Sequence, residues 1–147
     1  MLQHQTNRNG RGRVVTELHV PGKPIALPRQ RHRIIKGKHG KLFVQTYTPA
    51  NGPAAQWKRL IGRMAKTMWQ QPLDGPLQIN LEFVFQVKSK SQKWRIKTPD
   101  VDNLAKLVLD ALNGIAYHDD KQVAALLACK TESTQSCGVI IGIKELE

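Results

Sequence analysis

Cysteine and acidic residues are both scarce in this sequence, and it contains no long apolar run. Its two cysteines, Cys129 and Cys137, lie eight residues apart without histidines at zinc-ligand spacing, so neither a zinc site nor a disulfide framework is expected. No stretch approaches the roughly 18 unbroken apolar residues of a membrane span. Residues 1–13 are polar and basic without an apolar core, unlike a signal peptide. We therefore expect a cytoplasmic protein with reduced, structural cysteines and no membrane partner.

Positive charge dominates what is present. Lysine and arginine number 23 against 11 acidic residues, which gives a net charge of +12 and favours a polyanion partner, nucleic acid above all. Only six aspartates occur, and five of them fall within residues 100–120: Asp100, Asp102, Asp110, Asp119 and Asp120. Clustered carboxylates would repel phosphate unless divalent cations occupied them. A basic body around one acidic cluster is therefore what a metal-dependent nuclease requires.

Hydrophobic periodicity predicts an α+β fold with a mixed β-sheet and two main helices, in the order β-β-α-β-α-β-β. Residues 1–13 are predicted to form a flexible basic arm, and residues 14–147 a single domain. The predicted strands cover residues 14–20, 42–48, 77–87, 122–131 and 138–146. The first helix begins near Pro53, with Lys58, Arg59, Arg63 and Lys66 outside its apolar face. Residues 28–41 are interpreted as a basic loop or hairpin edge.

The second helix is predicted over residues 102–113, and aspartates stand at its start. Asp100 or Asp102 could cap this helix, but capping accounts for one aspartate, whereas two such neighbours could share one Mg²⁺ ion. Lys106 lies one turn after Asp102, where it could contact bound phosphate or form an ordinary ion pair. Asp110 lies about 12 Å from Asp102 along the helix. We expect it to be structural or to support the metal ligands from outside the metal site.

Asp119 and Asp120 follow the second helix after a connection of five residues, 114–118. A helix of about 12 residues runs roughly 18 Å, and residues 114–118 span at most about 17 Å. The pair can therefore only just return to Asp102 within one chain, and otherwise serves a site across a dimer interface. His118 fits a turn or a DNA-facing position as well as it fits a ligand, because Mg²⁺ sites seldom use imidazole.

The segment TPDVDNLAKLVLDALNGIAYHDDKQV, residues 98–123, resembles the RusA family of Holliday junction resolvases, which phages and prophages often carry. The shared signature is D-x-D-N-(x)2-K, then D-A-L, then D-D-x-Q-V. The segment PGKPIALPRQR, residues 21–31, looks like the basic opening strand and loop of that family. The resemblance implies a RusA-like fold and a homodimeric, Mg²⁺-dependent endonuclease. Such an enzyme nicks opposing strands of a four-way DNA junction in recombination and repair.

Catalytic roles follow from this resemblance residue by residue. The family's catalytic carboxylates correspond to Asp100, Asp102 and Asp120, and its essential lysine to Lys106. The resemblance implies that the same three aspartates bind Mg²⁺, with Mn²⁺ as a possible substitute, and that Asp119 is an auxiliary ligand. Some family members carry arginine directly before the first aspartate, where this chain has Pro99.

Two basic segments are predicted to hold DNA phosphates. The proposed contacts are Arg29, Arg31, Arg33, Lys90, Lys93, Arg95 and Lys97. Trp94 is available for stacking on bases, although we expect it to pack in the core. Two alternatives stay open on the sequence: a nuclease selective for flaps or replication forks, and a non-catalytic basic protein whose aspartates only cap and turn the chain.

Overall fold

A computed structural model describes residues 16–47, 50–89 and 92–147. The strands are β1 (Thr16–Pro21), β2 (Arg31–Lys36), β3 (Leu42–Tyr47), β4 (Leu77–Gln86), β5 (Val123–Ser133) and β6 (Gly138–Glu145). The helices are α1 (Pro53–Met68) and α2 (Val101–Leu112). The predicted α+β class with two main helices is confirmed. The chain has three strands before α1, one more than the predicted order contained.

The additional strand is β2, which pairs antiparallel with β3 in a separate two-stranded sheet. Side chains reinforce the pairing, since Arg33 Nε donates to Gln45 Oε1 over 2.7 Å. Every residue of both strands is exposed. Ile34 and Ile35 are adjacent rather than alternating, so this strand carries no period-two signal of a buried face. Its sequence therefore resembles that of a basic loop.

The main sheet has the order β1-β6-β4-β5, in which β4 lies parallel to β5 and antiparallel to β6. The alternation predicted for β4 is confirmed by its burial, because alternate residues lie in the core: Leu77, Ile79, Leu81, Phe83 and Phe85. One face of the sheet thus packs against the helices. A long connection is required between the parallel strands, and α2 lies within it.

The two helices pack closely at Gly62 of α1. A Cβ atom there would lie 3.4 Å from Ile115 Cδ1 and 3.5 Å from the carbonyl oxygen of Ala111. The apolar face of α2 supplies six buried residues: Leu104, Ala105, Leu107, Val108, Ala111 and Leu112. Each fully buried large side chain contributes about 1.5–3 kcal/mol. This packing fixes α2 on the sheet and leaves its polar face to solvent.

Of three further predictions, two concern residues that the structure describes. Cys129 and Cys137 are both free, as expected. Within residues 16–47, 50–89 and 92–147 no helix combines the length and the apolar character needed to cross a membrane. The predicted basic arm, residues 1–13, lies outside the described residues.

Gly138 provides a stability test of the β1–β6 pairing. Its φ is 155°, and an added Cβ would lie 2.4 Å from the carbonyl oxygen of Val20. We expect Gly138→Ala to lower the free energy of unfolding by about 1–3 kcal/mol from this clash, in addition to the conformational cost. Gly114→Ala is the control, because φ is 76° there and nothing lies within 4 Å of the added atom. Equal urea midpoints for the two variants would contradict the prediction.

Candidate functional site

Asp100 and Asp102 stand at the exposed start of α2. Asp100 is the N-cap residue, but its side chain makes no capping hydrogen bond. Instead its backbone carbonyl accepts a bond from the Leu104 amide over 3.1 Å. Neither carboxylate forms an ion pair with another described residue. Capping therefore uses neither side chain, and both retain free oxygens, while the positive end of the helix dipole favours their charge.

The segment before Asp100 is tied to β5 by two basic side chains. Arg95 lies 3.4 Å from Glu132, which is buried, and donates to the carbonyl of Thr98 over 3.0 Å. Lys130 of β5 donates to the carbonyl of Pro99 over 2.8 Å. Backbone bonds at Arg95 and Glu132 continue this attachment. Together these contacts set the position from which α2 and its first aspartates begin.

Lys106 connects α2 to the turn that follows it. Its Nζ lies 2.8 Å from Asp110 Oδ1 and 3.7 Å from Asp120 Oδ2. The hydrogen bond and charge of Asp110, followed by the charge of Asp120, raise the pKa of Lys106. The lysine therefore stays charged at neutral pH. Lys106 forms its ion pair with Asp110, one turn later in α2, and not with Asp102. Lys106, Asp110 and Asp120 thus form a carboxylate–lysine cluster.

Asp119 caps a single 3-10 turn over Asp120–Gln122. Its Oδ1 accepts a hydrogen bond from the backbone amide of Lys121 over 2.9 Å, and this bond lowers the pKa of Asp119. Next to it, His118 Nε2 lies 3.0 Å from Asp74 Oδ1. One oxygen of Asp119 is thus engaged in holding the turn, and His118 is engaged with a carboxylate.

Gln122 fixes the same turn to the rest of the domain. Its Oε1 accepts from the amides of His118 and Asp119 over 2.8 and 3.0 Å. Its Nε2 donates to the carbonyls of Leu73 and Gly75 over 2.9 and 3.0 Å. Gln122 was not among the predicted site residues. The signal that could have identified it is a glutamine three residues after an N-cap aspartate, the pattern of a capping box.

Tyr117 lies fully buried beneath this region. Its hydroxyl donates to the carbonyl of Leu109 over 2.7 Å. Burial, with the negative charges of Asp120 and Asp110, raises the pKa of Tyr117 well above its usual range. The phenol therefore stays protonated and serves as a fixed support between α2 and the turn.

Within one chain the four predicted metal ligands fall into two pairs. Asp100 and Asp102 start α2, whereas Asp120 reaches Lys106, about 6 Å further along the helix axis. Among the residues that the structure describes, no group of three or more Asp, Glu, His or Cys side chains is placed to hold a metal ion. Each pair still suits Mg²⁺ chemically, because that ion takes oxygen ligands and usually only one or two carboxylates.

The predicted DNA contacts differ in their surroundings. Five are exposed: Arg29, Arg31, Arg33, Lys93 and Lys97. Arg95 is only partly exposed and is committed to Glu132 and Thr98, and Lys90 lies outside the described residues. Trp94 is 56% exposed, so the expected core position is wrong. It pairs with Thr131 beside β5 and carries Lys93 Nζ 4.8 Å above its ring.

A basic α+β domain with aspartates and a lysine on one exposed helix has the features that a metal-dependent nuclease requires. The family model for endodeoxyribonuclease RusA matches residues 21–144, and the chain belongs to this family. The crossover junction endodeoxyribonuclease rusA of Lactococcus phage r1t is 34% identical over 64 residues, 42% of this chain and 49% of that protein. The chain thus spans about half the length of the curated relative that it matches.

Gln122→Ala tests the support of the turn. Loss of four hydrogen bonds, each with a net contribution of about 0.5–1.5 kcal/mol, should lower the free energy of unfolding by about 2–6 kcal/mol. Gln86→Ala is the control, since Gln86 is exposed and makes one 3.4 Å bond to the carbonyl of Thr134. Urea unfolding measures both variants. If Gln122→Ala were as stable as Gln86→Ala, the turn would not depend on this side chain.

Proposed function

We propose that this protein is a divalent-metal-dependent endodeoxyribonuclease that resolves four-way DNA junctions by paired phosphodiester hydrolysis, in cytoplasmic DNA recombination and repair. The proposal is carried by Lys106, a residue of α2 that contacts Asp120 in the turn after the helix. The same helix starts with Asp100 and Asp102, whose side chains do not cap it. Family membership and the name of the phage relative, a crossover junction endodeoxyribonuclease, support it. In this proposal residues 14–147 form one nuclease domain, and residues 1–13 a basic arm.

The aspartates would supply the metal site. Asp100 and Asp102 would hold Mg²⁺, or Mn²⁺ in its place, at the start of α2. Asp120 would hold it from the later turn, where Asp119 would add its second oxygen as an auxiliary ligand. A metal held there would lower the pKa of a bound water and offset phosphate charge. The carboxylates of Asp100 and Asp102 support this assignment, because neither caps α2 and their oxygens are not used by the helix.

Lys106 would act on the phosphate. Its raised pKa keeps the ammonium group charged, and an ammonium beside the reacting phosphate stabilises negative charge as it develops on the oxygens. Asp110 holds Lys106 by a 2.8 Å bond and so positions the lysine. Asp110 itself would lie outside the metal site.

The exposed basic residues would bind the DNA backbone. Arg29, Arg31 and Arg33 lead into and along β2, while Lys93 and Lys97 precede the catalytic helix. Their neutralisation of phosphates would favour binding through counterion release, and Lys90 would join the second group. The contacts of Arg95 with Glu132 and Thr98 favour a positioning role over a phosphate contact. Exposed Trp94 would stack on a base.

One substrate comparison tests this function against its alternatives. The protein is incubated with Mg²⁺ and a labelled four-way junction, a flap, a replication fork, or a linear duplex of matching sequence. We expect paired nicks in the junction and little cutting of the duplex. Preferred cutting of the flap or fork would identify a nuclease of that selectivity instead. Binding without cleavage of any substrate would identify a non-catalytic DNA-binding protein.

Asp102→Asn tests the assigned carboxylates. We expect cleavage to be lost while junction binding is kept or strengthened, because the substitution removes a repulsion from phosphate together with a metal ligand. Glu17→Gln is the control, since it removes the same charge from an exposed residue of β1. Electrophoretic binding and cleavage assays measure both variants. Cutting by Asp102→Asn near the wild-type rate would show that the assigned site is wrong.

A homodimer would complete the paired reaction, and the edge of β5 is the surface that favours it. Residues 93–95 cover the outer side of β5 at Lys130–Glu132, but no described residue pairs with its outer side at residues 123–129. Leu126 and Leu127 are 46% and 66% exposed there. An apolar open edge is a ready template for pairing with another chain. Two-fold pairing would present two equivalent sites for symmetric nicks.

Leu127→Arg tests the dimer. A charge on the open edge should prevent its pairing, so we expect light scattering to show a monomer at micromolar concentration and paired nicking to be lost. Leu42→Arg is the matched control, because Leu42 is equally exposed, at 68%, on β3. A wild-type monomer would count against the dimer. A dimer that survives Leu127→Arg and breaks in Leu42→Arg would move the interface to the β2–β3 hairpin.

A further inference from the structure

The outer surface of α1 carries a concentrated positive charge that the proposed function does not use. Lys58, Arg59, Arg63 and Lys66 are all exposed, and α1 contains no acidic residue. None of the four forms an ion pair with another described residue. From Leu18 to Leu73 the chain contains 11 lysines and arginines and no aspartate or glutamate. No carboxylate from this stretch of the chain therefore offsets the positive potential of the surface.

These side chains line a groove rather than a flat surface. The groove runs between α1, α2 and the segment at Leu27, with a volume of about 1040 Å³. Leu107 and Ala111 of α2 form part of its apolar base, and the four cations of α1 also line it. Leu27 is attached to α2 by a 3.1 Å bond from its amide to the carbonyl of Asn103. An apolar base with a cationic rim suits a sugar–phosphate backbone, which has a sugar surface and charged oxygens.

The spacing of the cations fits a DNA strand. Arg59, Arg63 and Lys66 stand at positions i, i+4 and i+7, which share one side of a helix and span about 10 Å along its axis. Phosphates of one strand of a duplex follow at about 3.4 Å along the DNA axis. Three such steps give about 10 Å, so the row of three cations covers a length of strand that holds four successive phosphates.

The groove also lies next to the candidate active site. On α2, Leu107 and Ala111 line the groove, whereas Lys106 and Asp110 belong to the carboxylate–lysine cluster. Adjacent residues of a helix are separated by about 100° around its axis. A strand that passes over the exposed face of α2 can thus continue directly into the groove.

We propose that this groove binds the phosphate backbone of a duplex arm of the DNA substrate, next to the strand that is cut. The inference rests on the proposed function and extends it, because it assigns the cations of α1 to substrate binding. Arg59, Arg63 and Lys66 make the phosphate contacts, and Lys58 completes the lining.

Salt-dependent binding of a four-way junction tests the proposal. Arg63→Gln should make the slope of log K against log salt concentration shallower by about 0.9, the value for one lost phosphate contact. When Arg59, Arg63 and Lys66 are all replaced by glutamine, the decrease in this slope should be about three times as large. Lys144→Gln is the control, because it removes the same charge from β6, far from the groove in the fold. Its neighbour Ile143 is buried in the core, so Lys144 lies on the opposite face of the sheet. The slope of the control should not change, and equal melting temperatures would show that all variants fold.

Arm length separates this site from the catalytic one. Junctions with arms too short to reach α1 should bind wild type and Arg63→Gln alike, whereas long-armed junctions should distinguish them. Wild-type slopes for the groove variants, or equal losses on short and long arms, would overturn the inference. If the groove variants lost as much affinity for polyglutamate as for the junction, the groove would be a general polyanion surface. That result would also overturn the inference. Junction binding without cutting would contradict the proposed function but not the groove. Failure to bind any DNA would contradict both the proposed function and the groove.

Discussion

The parallel pairing of β4 and β5 is the constraint on which the candidate site depends. Parallel neighbours require a long crossover, and every aspartate of the acidic cluster lies within residues 87–122, which connect them. Asp100 and Asp102 stand at the start of the crossover helix, and Asp119 and Asp120 follow its end. Asp120 approaches the helix at Lys106, about 6 Å beyond Asp102 along the helix axis. Lys106 is the side chain that spans part of this distance, because it reaches Asp120 from the second turn of α2.

The residues that hold the site are mostly not the acids themselves. Arg95 and Lys130 bind backbone carbonyls ahead of Asp100, and Gln122 binds two carbonyls and two amides around the later turn. Tyr117 joins the turn to α2 through one more carbonyl. Since neutral or cationic groups fix the backbone, the oxygens of Asp100 and Asp102 are not consumed in maintaining the fold. Asp119 is the exception, because one of its oxygens caps the turn.

The sequence predicted the elements whose burial follows a regular period. β4 alternates strictly and α2 has one apolar face, so both were located to within one residue of their ends. The segment that contains β2 was predicted as a basic loop or hairpin edge, and the β2–β3 pairing confirms the hairpin. It was not predicted as a strand because it buries no face. The roles of Arg95 and Gln122 depend on partners far away in the chain, which spacing does not reveal. The length of residues 114–118 gives only an upper limit to how far Asp120 can come back along α2. Its actual contact with Lys106 depends on the reach of the lysine side chain.

The β2–β3 hairpin buries none of its twelve residues. A two-stranded hairpin alone is marginally stable in water, and this one also bears the mutual repulsion of Arg31, Arg33 and Lys36. A bound polyanion would reduce that repulsion. Ordering of the hairpin and occupation by a polyanion are therefore linked equilibria, each of which increases the other. The charge that would attract a polyanion is thus also a charge that would weaken this hairpin in its absence.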